Sequence, residues 1–414
     1  MVSEQLSRVV ITGIGASTPL GNSFDEIGDA LQAGRSGIDW YDAGTFSRLQ
    51  KHAAANVKEA LIPTEKDSLV PTEQFEKSSR IEQFMIGPAA HALTDAGINP
   101  KANSLEQRKR IGIIAGIGAE QLKDWERDFL DSGHDVFEAS RQPSLVHRVA
   151  QMLGVNGPAT TVAAACASSG YALALGKTWL TTGLVDACVV GGCDVLSPTA
   201  LAAFHNLRAL SRRDDDPKKA SRPFDQNRDG FVMGEGGVFF VLERQHAAKA
   251  RQCKIYGELA GIGMSSDASH MVTPCSDPVQ ASRAITEALA DANLPPAQVD
   301  YINAHAAGTP VGDAAEAGAI RDAFGAAASE IPVSSTKSMS GHLISAAAVF
   351  EALACLVAIK RNMIPPTINL DNPDKECCLR HVPHQAISSP VHVAASNSFG
   401  FGGSNLCLIL KSAA

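Results

Sequence analysis

Three short runs of the chain set a reactive side chain among small neighbours. In Ala163-Ala164-Ala165-Cys166-Ala167-Ser168-Ser169-Gly170 a cysteine stands where a strand pattern gives way to a helical one. Small neighbours leave room for a sharp turn, and the N-terminus of the following helix favours thiolate, the nucleophilic form. In Val299-Asp300-Tyr301-Ile302-Asn303-Ala304-His305 a strand pattern ends on a histidine, followed by Ala306-Ala307-Gly308-Thr309-Pro310. In Ser334-Ser335-Thr336-Lys337-Ser338-Met339-Ser340-Gly341-His342, Lys337 and His342 straddle a glycine just before an apolar helix. A cysteine with two histidines suits acyl transfer, the imidazoles donating hydrogen bonds to a carbonyl oxygen that gains negative charge. The glycine-rich Asn397-Ser398-Phe399-Gly400-Phe401-Gly402-Gly403-Ser404-Asn405 offers free backbone N–H groups as oxyanion donors, and its phenylalanines can wall a channel. Each run read alone also has a plainer meaning. Cys166 fits a small buried cysteine, His305 a capped loop histidine, Lys337 and His342 solvated neighbours, and 397–405 a tight turn or phosphate cradle.

The elements that must position these residues alternate. Apolar strand patterns at Arg8–Gly15, Arg110–Ile117, Ala187–Gly191, Gly237–Leu242, Tyr256–Gly263 and His392–Ala395 are separated by helical periods, among them Ile81–Ala96, Gly170–Gly183 and Pro278–Ala292. That alternation predicts an α/β layered fold with much parallel sheet. A dinucleotide site after the first strand fails, because Thr18 stands where the third glycine of G-x-G-x-x-G belongs. A coarse duplication is suggested: in each half a strand runs into an Ala-rich helix, at Ala163–Leu180 and Ile344–Ile359. Residues 205–235 and 361–384 are expected as exposed loops.

With 414 residues the chain has room for two to three domains or one large α/β unit, and 45% hydrophobic residues make it globular. The net charge of −8 argues against a broad nucleic-acid surface. The longest apolar stretch, Ser345–Ile359, is interrupted by Glu351 and falls short of the roughly 20 residues of a membrane span. No signal-peptide pattern opens the chain, and nine cysteines without a C-x-x-C pair fit reduced thiols, so a cytoplasmic location is expected.

Taken in order, the reactive runs resemble the β-ketoacyl-[acyl-carrier-protein] synthases, most closely the synthase II type, condensing enzymes of the thiolase-like fold. The likeness spans the chain through VVITGIGASTPLG, SRPFDQNRDGFVMGEG (221–236), MSSDASHM (264–271), SSTKSMSGH (334–342), PPTINLDNPD (365–374) and NSFGFGGSN (397–405). It implies duplicated αβαβα layered halves with mixed, mostly parallel sheets. The first half, 1–255, would carry the nucleophile, and the second, 256–414, both histidines. It also implies roles. Cys166 accepts the acyl chain, His305 and His342 assist malonyl decarboxylation and stabilise the enolate, and the N–H groups of Cys166 and Phe401 form the oxyanion hole. Phe401 gates the site, Lys337 organises it, and Glu316 and Glu351 are buried supporting carboxylates; some relatives hold a structural alkali cation near Glu351. Ile117, Phe204 and Phe401 are expected to line the acyl tunnel.

The resemblance further implies decarboxylative condensation of an acyl thioester with malonyl-carrier protein in fatty-acid synthesis, without organic cofactor or catalytic metal. It implies a homodimer and an acidic acyl carrier protein as partner. The carrier would meet a local basic patch, for which Lys77, Arg80, Arg208, Arg212 and Arg213 are candidates. The chain departs from the family's His-Gly-Thr-x-Thr-Pro: Ala307 lacks a hydroxyl, leaving Thr309 to bind the pantetheine arm. The charged segment 118–142 is a second departure. Rival readings are a polyketide or aryl-polyene ketosynthase, a non-catalytic chain-length partner, against which Cys166 and both histidines argue, and a thiolase, whose second cysteine would have to be Cys407 in a core strand.

Overall fold

The structure, a computed structural model, describes residues 8–42, 51–63, 69–118 and 143–413, together with 120, 122, 125, 126 and 128. Most of the charged segment 118–142 lies outside the described residues. Eleven strands form one mixed sheet: β1 (Val9–Ser17), β2 (Ile111–Gly116), β3 (Ala159–Val162), β4 (Ala187–Asp194), β5 (Gly236–Arg244), β6 (Gly257–Ser266), β7 (Tyr301–Asn303), β8 (Pro332–Ser334), β9 (Arg380–His381), β10 (Val393–Gly400) and β11 (Ser404–Lys411). Their spatial order is β9-β8-β7-β10-β11-β6-β1-β5-β4-β2-β3.

That order exposes the duplication. The first half runs β3-β2-β4-β5-β1 and the second β8-β7-β10-β11-β6, the same path through five strands. In both, the three outer strands pair in parallel and the inner ones antiparallel. The halves join where β1 meets β6 antiparallel.

Side chains alternate across a strand, and the cores follow. Cys188 and Val190 of β4, Phe240 and Leu242 of β5, and Leu406 and Leu408 of β11 pack with two central helices, α1 (Ser168–Thr181) and α2 (Ala347–Arg361). The opposite face of the first half, with Val189, Phe239 and Val241, packs on helix Arg80–Asp95. That of the second half, with Ile302, Ala395 and Ile409, packs on helices Val279–Asp291 and Pro310–Phe324. The result is helix, sheet, helix, sheet, helix.

Small residues permit this closeness. A Cβ on Gly13 or Gly15 of β1 would stand 2.0 Å from Ala92 O or 1.9 Å from Pro88 O, so these glycines seat helix Arg80–Asp95 against the strand. Helix α2 is buried on every side from Ala347 to Ile359, as expected of a helix apolar all round. Its lone carboxylate, Glu351, is therefore committed to the interior.

One expectation needs correction. The stretch 205–235 is an exposed loop only in its first part; from Ala220 to Glu235 most residues are buried. The reason is internal pairing of its charges: Arg222 Nε lies 3.1 Å from Asp225 Oδ1, and Arg228 Nη1 2.5 Å from Asp374 Oδ2. No helix among the described residues is long and apolar enough to cross a membrane.

Candidate active site

Cys166 sits in the turn that joins β3 to α1. Ala165 takes φ 47°, a left-handed conformation uncommon for a residue with a Cβ, and the turn Ala165–Ala167 leads into the helix. The end of β10 lies directly against this elbow: a Cβ on Gly400 would stand 2.6 Å from Ala164 O. The next residue, Phe401, points its N–H at Cys166 Sγ.

His342 Nε2 stands 3.0 Å from that sulfur. The His342 backbone is pinned by its N–H to Val232 O at 2.7 Å and by its carbonyl, which accepts from Gly234 N at 2.8 Å. His305 leaves the end of β7, its ring centroid 5.3 Å from that of His342 at 84°. Its position is set by Glu316, whose two oxygens accept the N–H groups of His305 at 2.8 Å and Ala306 at 2.6 Å. Asn397 Nδ2 donates to the same carboxylate at 3.0 Å. Lys337 Nζ lies 3.3 Å from His305 Nδ1 and is ion-paired with Glu351 inside the protein. An ammonium can only donate, so it takes the Nδ1 lone pair and leaves the ring proton on Nε2, facing the cysteine side.

The electrostatics follow from burial. Both imidazoles are held well below the ordinary histidine range, by burial first and then by the charge of Lys337. They are neutral donors. Burial lifts Glu316 to about 7, against the hydrogen bonds it accepts, and lifts Glu351 to about 7, against the charge of Lys337. Cys166, 8% exposed, is pushed up to about 12 by burial. Lys337 and the Phe401 N–H pull it down, while Asp194 and Glu351 push it up. The expected ready-made thiolate is thus corrected: desolvation outweighs the favourable neighbours, and the resting site is a neutral thiol–imidazole pair.

These atoms face one cavity whose wall includes Phe204, Phe231, Ile344, Phe399 and Phe401. One ligating atom each of Cys166, His305 and His342 lie within 4.8 Å of one another, a span that a thioester carbonyl can bridge. Phe401 and Phe204 meet edge-on at 6.1 Å, and Phe204 meets Phe231 at 5.2 Å. Ala307 and Thr309 line the same space. Ile117, just past the end of β2, packs in the core with helix Arg80–Asp95.

Three of the expected basic-patch residues are engaged in ion pairs. Arg80, 39% exposed, has its Nη2 2.5 Å from buried Glu235 and its guanidinium also bonded to Val57 O. Lys77 is 75% exposed but paired with Glu73 at 2.6 Å, and Arg213 is paired with Asp215 at 3.1 Å. Arg208 and Arg212 remain exposed. Sequence reasoning missed Phe231, which packs edge-on against His342 at 5.3 Å, and the cavity-wall residues Asp267 and Cys275. Phe231 and Asp267 fall in the runs 221–236 and 264–271 that carry the resemblance, but nothing local marks them as cavity wall; only the chain's return brings them there.

Near Lys337, Asn303 Oδ1, Asn397 Oδ1 and Glu351 Oε2 are buried without hydrogen-bond partners, on β7, β10 and the helix packed against β10. Such oxygens fit the alkali cation implied for some relatives.

Two family models match the chain: the N-terminal domain of β-ketoacyl synthases over residues 6–248 and the C-terminal domain over 256–371. A 3-oxoacyl-[acyl-carrier-protein] synthase 2 from Synechocystis sp. is 39% identical over 99% of both chains. Among solved structures, a β-ketoacyl synthase from Burkholderia phymatum superposes with a TM-score of 0.88 at 33% identity, covering 99% of this chain and 100% of that one. A type II polyketide acyl-carrier protein in complex with its ketosynthase superposes with a TM-score of 0.87 at 29% identity, covering 99% and 100%.

Proposed function

The chain belongs to the β-ketoacyl synthase family, and from that premise we propose how its residues divide the work of condensation. The reaction is that of a 3-oxoacyl-[acyl-carrier-protein] synthase of fatty-acid synthesis. An acyl chain held as a thioester condenses with malonyl-acyl-carrier protein, carbon dioxide is lost, and the β-ketoacyl chain is two carbons longer. The observation that carries the assignment is Cys166 Sγ at 3.0 Å from a neutral His342, with neutral His305 beside it in one cavity.

In the first half-reaction the Cys166 sulfur attacks the acyl-carrier thioester while His342 Nε2–H donates a hydrogen bond to it. The carbon–sulfur bond to pantetheine breaks, and the thiol proton passes to the departing pantetheine sulfur. The N–H groups of Cys166 and Phe401 receive the transient oxyanion. In the second, malonyl-carrier protein loses carbon dioxide, and the electron pair moves into an enolate whose oxygen accepts hydrogen bonds from His305 and His342. The enolate carbon attacks the acyl-cysteine carbonyl, the carbon–sulfur bond breaks, and Cys166 recovers a proton from solvent. Neutral imidazoles serve here because they donate without surrendering a full proton. The phenylalanine-lined cavity keeps water from the carbanion.

Lys337, Glu351 and Glu316 position the histidines. No organic cofactor or catalytic metal is needed for these steps. An alkali cation, if bound, would be held by Asn303, Asn397 and Glu351 and would offset the buried carboxylate. We assign Thr309 to the pantetheine arm, a carrier protein and a homodimer as partners, and the cytoplasm as location, which nine free cysteines support. The likeness to polyketide ketosynthases supports a second reading, the same chemistry on polyketide chains. The test is to offer malonyl-carrier protein with a ladder of acyl-carrier proteins and weigh the products. Two-carbon extension of saturated chains establishes the synthase, turnover of polyketide starters alone favours the second reading, and no turnover of either overturns both.

A further inference from the structure

The fold carries a second elbow that the reaction leaves unused. At the start of α2, Ile344 takes φ 49°, matching Ala165 at φ 47° before α1. Ser345 occupies the central turn position there, as Cys166 does in the first elbow. Its hydroxyl is wholly engaged: it donates to Asp194 Oδ2 at 2.8 Å and accepts from Gly118 N at 2.8 Å. The Ser345 N–H adds a bond to the same carboxylate oxygen at 3.2 Å.

Asp194 ends β4, is 6% exposed, and has no cation in contact among the described residues. An unpaired buried carboxylate is costly, so its position calls for a use. Around it the two elbows touch. A Cβ on Gly192 would stand 2.8 Å from Ser169 Cβ of the first and 2.9 Å from Ser345 O of the second. Val349 N also donates to Ser169 Oγ at 3.1 Å, tying α2 to α1.

We propose that Ser345 and Asp194 are positioning residues for the nucleophile: the second elbow is a fixed seat for the Cys166 elbow and holds a carboxylate beside it. This rests on the reading of Cys166 as nucleophile. Lys337 favours the thiolate, Asp194 and Glu351 oppose it, and His305 and His342 are neutral. Asp194 is itself pushed up by burial and by Glu235, and drawn down by the bonds from Ser345 and Val195. Ser345 therefore favours the charged carboxylate, and the carboxylate keeps the sulfur protonated until the arriving thioester supplies a pantetheine sulfur to take the proton. A thiol so held is protected from oxidation and alkylation between turnovers.

The experiment measures the Cys166 thiolate by its ultraviolet absorbance at alkaline pH, with a Cys166→Ala background subtracted. It compares the full chain with Asp194→Asn, Ser345→Ala and Ser345→Thr, beside thermal melts and condensation kinetics. In Asp194→Asn the thiolate fraction at a given pH rises about three- to tenfold, while kcat falls because the Cys166 elbow loses its fixed seat, with KM for the acyl carrier unchanged. Ser345→Ala moves both readings the same way by less, and Ser345→Thr, which keeps the hydroxyl, returns them toward wild type. A structural role alone does not raise an equilibrium thiolate fraction. An unchanged or smaller fraction in the folded variants overturns the proposal, and if Asp194→Asn does not fold, Ser345→Ala decides it. A shifted thiolate fraction in a protein that never takes an acyl group from a carrier leaves the pair standing and removes the reaction instead.

Discussion

The two elbows are built alike and used differently. Each follows a parallel strand near the sheet's outer edge, passes through a left-handed residue, and opens a buried helix. In the first the turn carries a thiol whose neighbours are a neutral imidazole and one backbone N–H, facing a cavity. In the second the turn carries a hydroxyl with both its donor and acceptor capacity spent on Asp194 and Gly118. Duplication supplied two strained turns at helix N-termini; reactivity went to the one left with an open side. A buried polar group that is fully hydrogen-bonded rigidifies, while one with a vacant partner is available for chemistry.

If that contrast holds, damage to the first elbow costs rate and damage to the second helix costs stability. The largest effect is expected for Cys166→Ala. Condensation falls by about 10³-fold or more, measured as β-ketoacyl product by mass spectrometry, while malonyl decarboxylation continues. Its melting free energy moves by no more than about 1 kcal/mol, since only a small side chain is lost. Next, His305→Ala slows decarboxylation by about 10²–10³-fold but still allows Cys166 to gain the acyl mass. His342→Ala slows both steps, because His342 alone reaches the sulfur. Equal loss of both steps in His305→Ala breaks the division of labour.

On the second helix, Glu351→Ala leaves Lys337 buried without its partner and destabilises the fold by about 3–5 kcal/mol, read by denaturant melts. Normal stability in that variant erases the contrast. The pH dependence sharpens it. Both histidines titrate well below 6.5, so neutral donors persist as pH falls through that value. The acid limb of decarboxylation therefore lies below pH 6.5, and a limb centred at 6.5 would place solvent-exposed imidazoles in the site. The smallest effect is Thr309→Val, which raises KM for carrier substrates several-fold through one lost hydrogen bond of about 0.5–1.5 kcal/mol, with kcat unchanged.

Much of the fold was legible because apolar strands and Ala-rich helices announce themselves by period. The strand leading to His305, though it stops at Asn303, and the helix containing Glu351 fall where the patterns put them. Misreadings came where charge was taken as a sign of exposure. Arg222 and Arg228 are dense in a polar stretch yet buried, because their partners Asp225, Asp371 and Asp374 arrive with them or from the far loop. Arg80 is half of such a pair: its guanidinium reaches buried Glu235, 155 residues away, while its side chain stays 39% exposed.

The sequence by itself determined the chemistry available: one cysteine among small residues, two histidines, a lysine and a glycine-rich turn, in an α/β chain of two similar halves. Tertiary structure decided the state in which that chemistry rests. Burial makes Cys166 a thiol and the histidines neutral, and burial is a property of what packs around a group. Only the crossing of chain segments 176 residues apart sets His342 at hydrogen-bonding distance from Cys166, and only it shows that the second elbow, equal in backbone, is closed by Asp194.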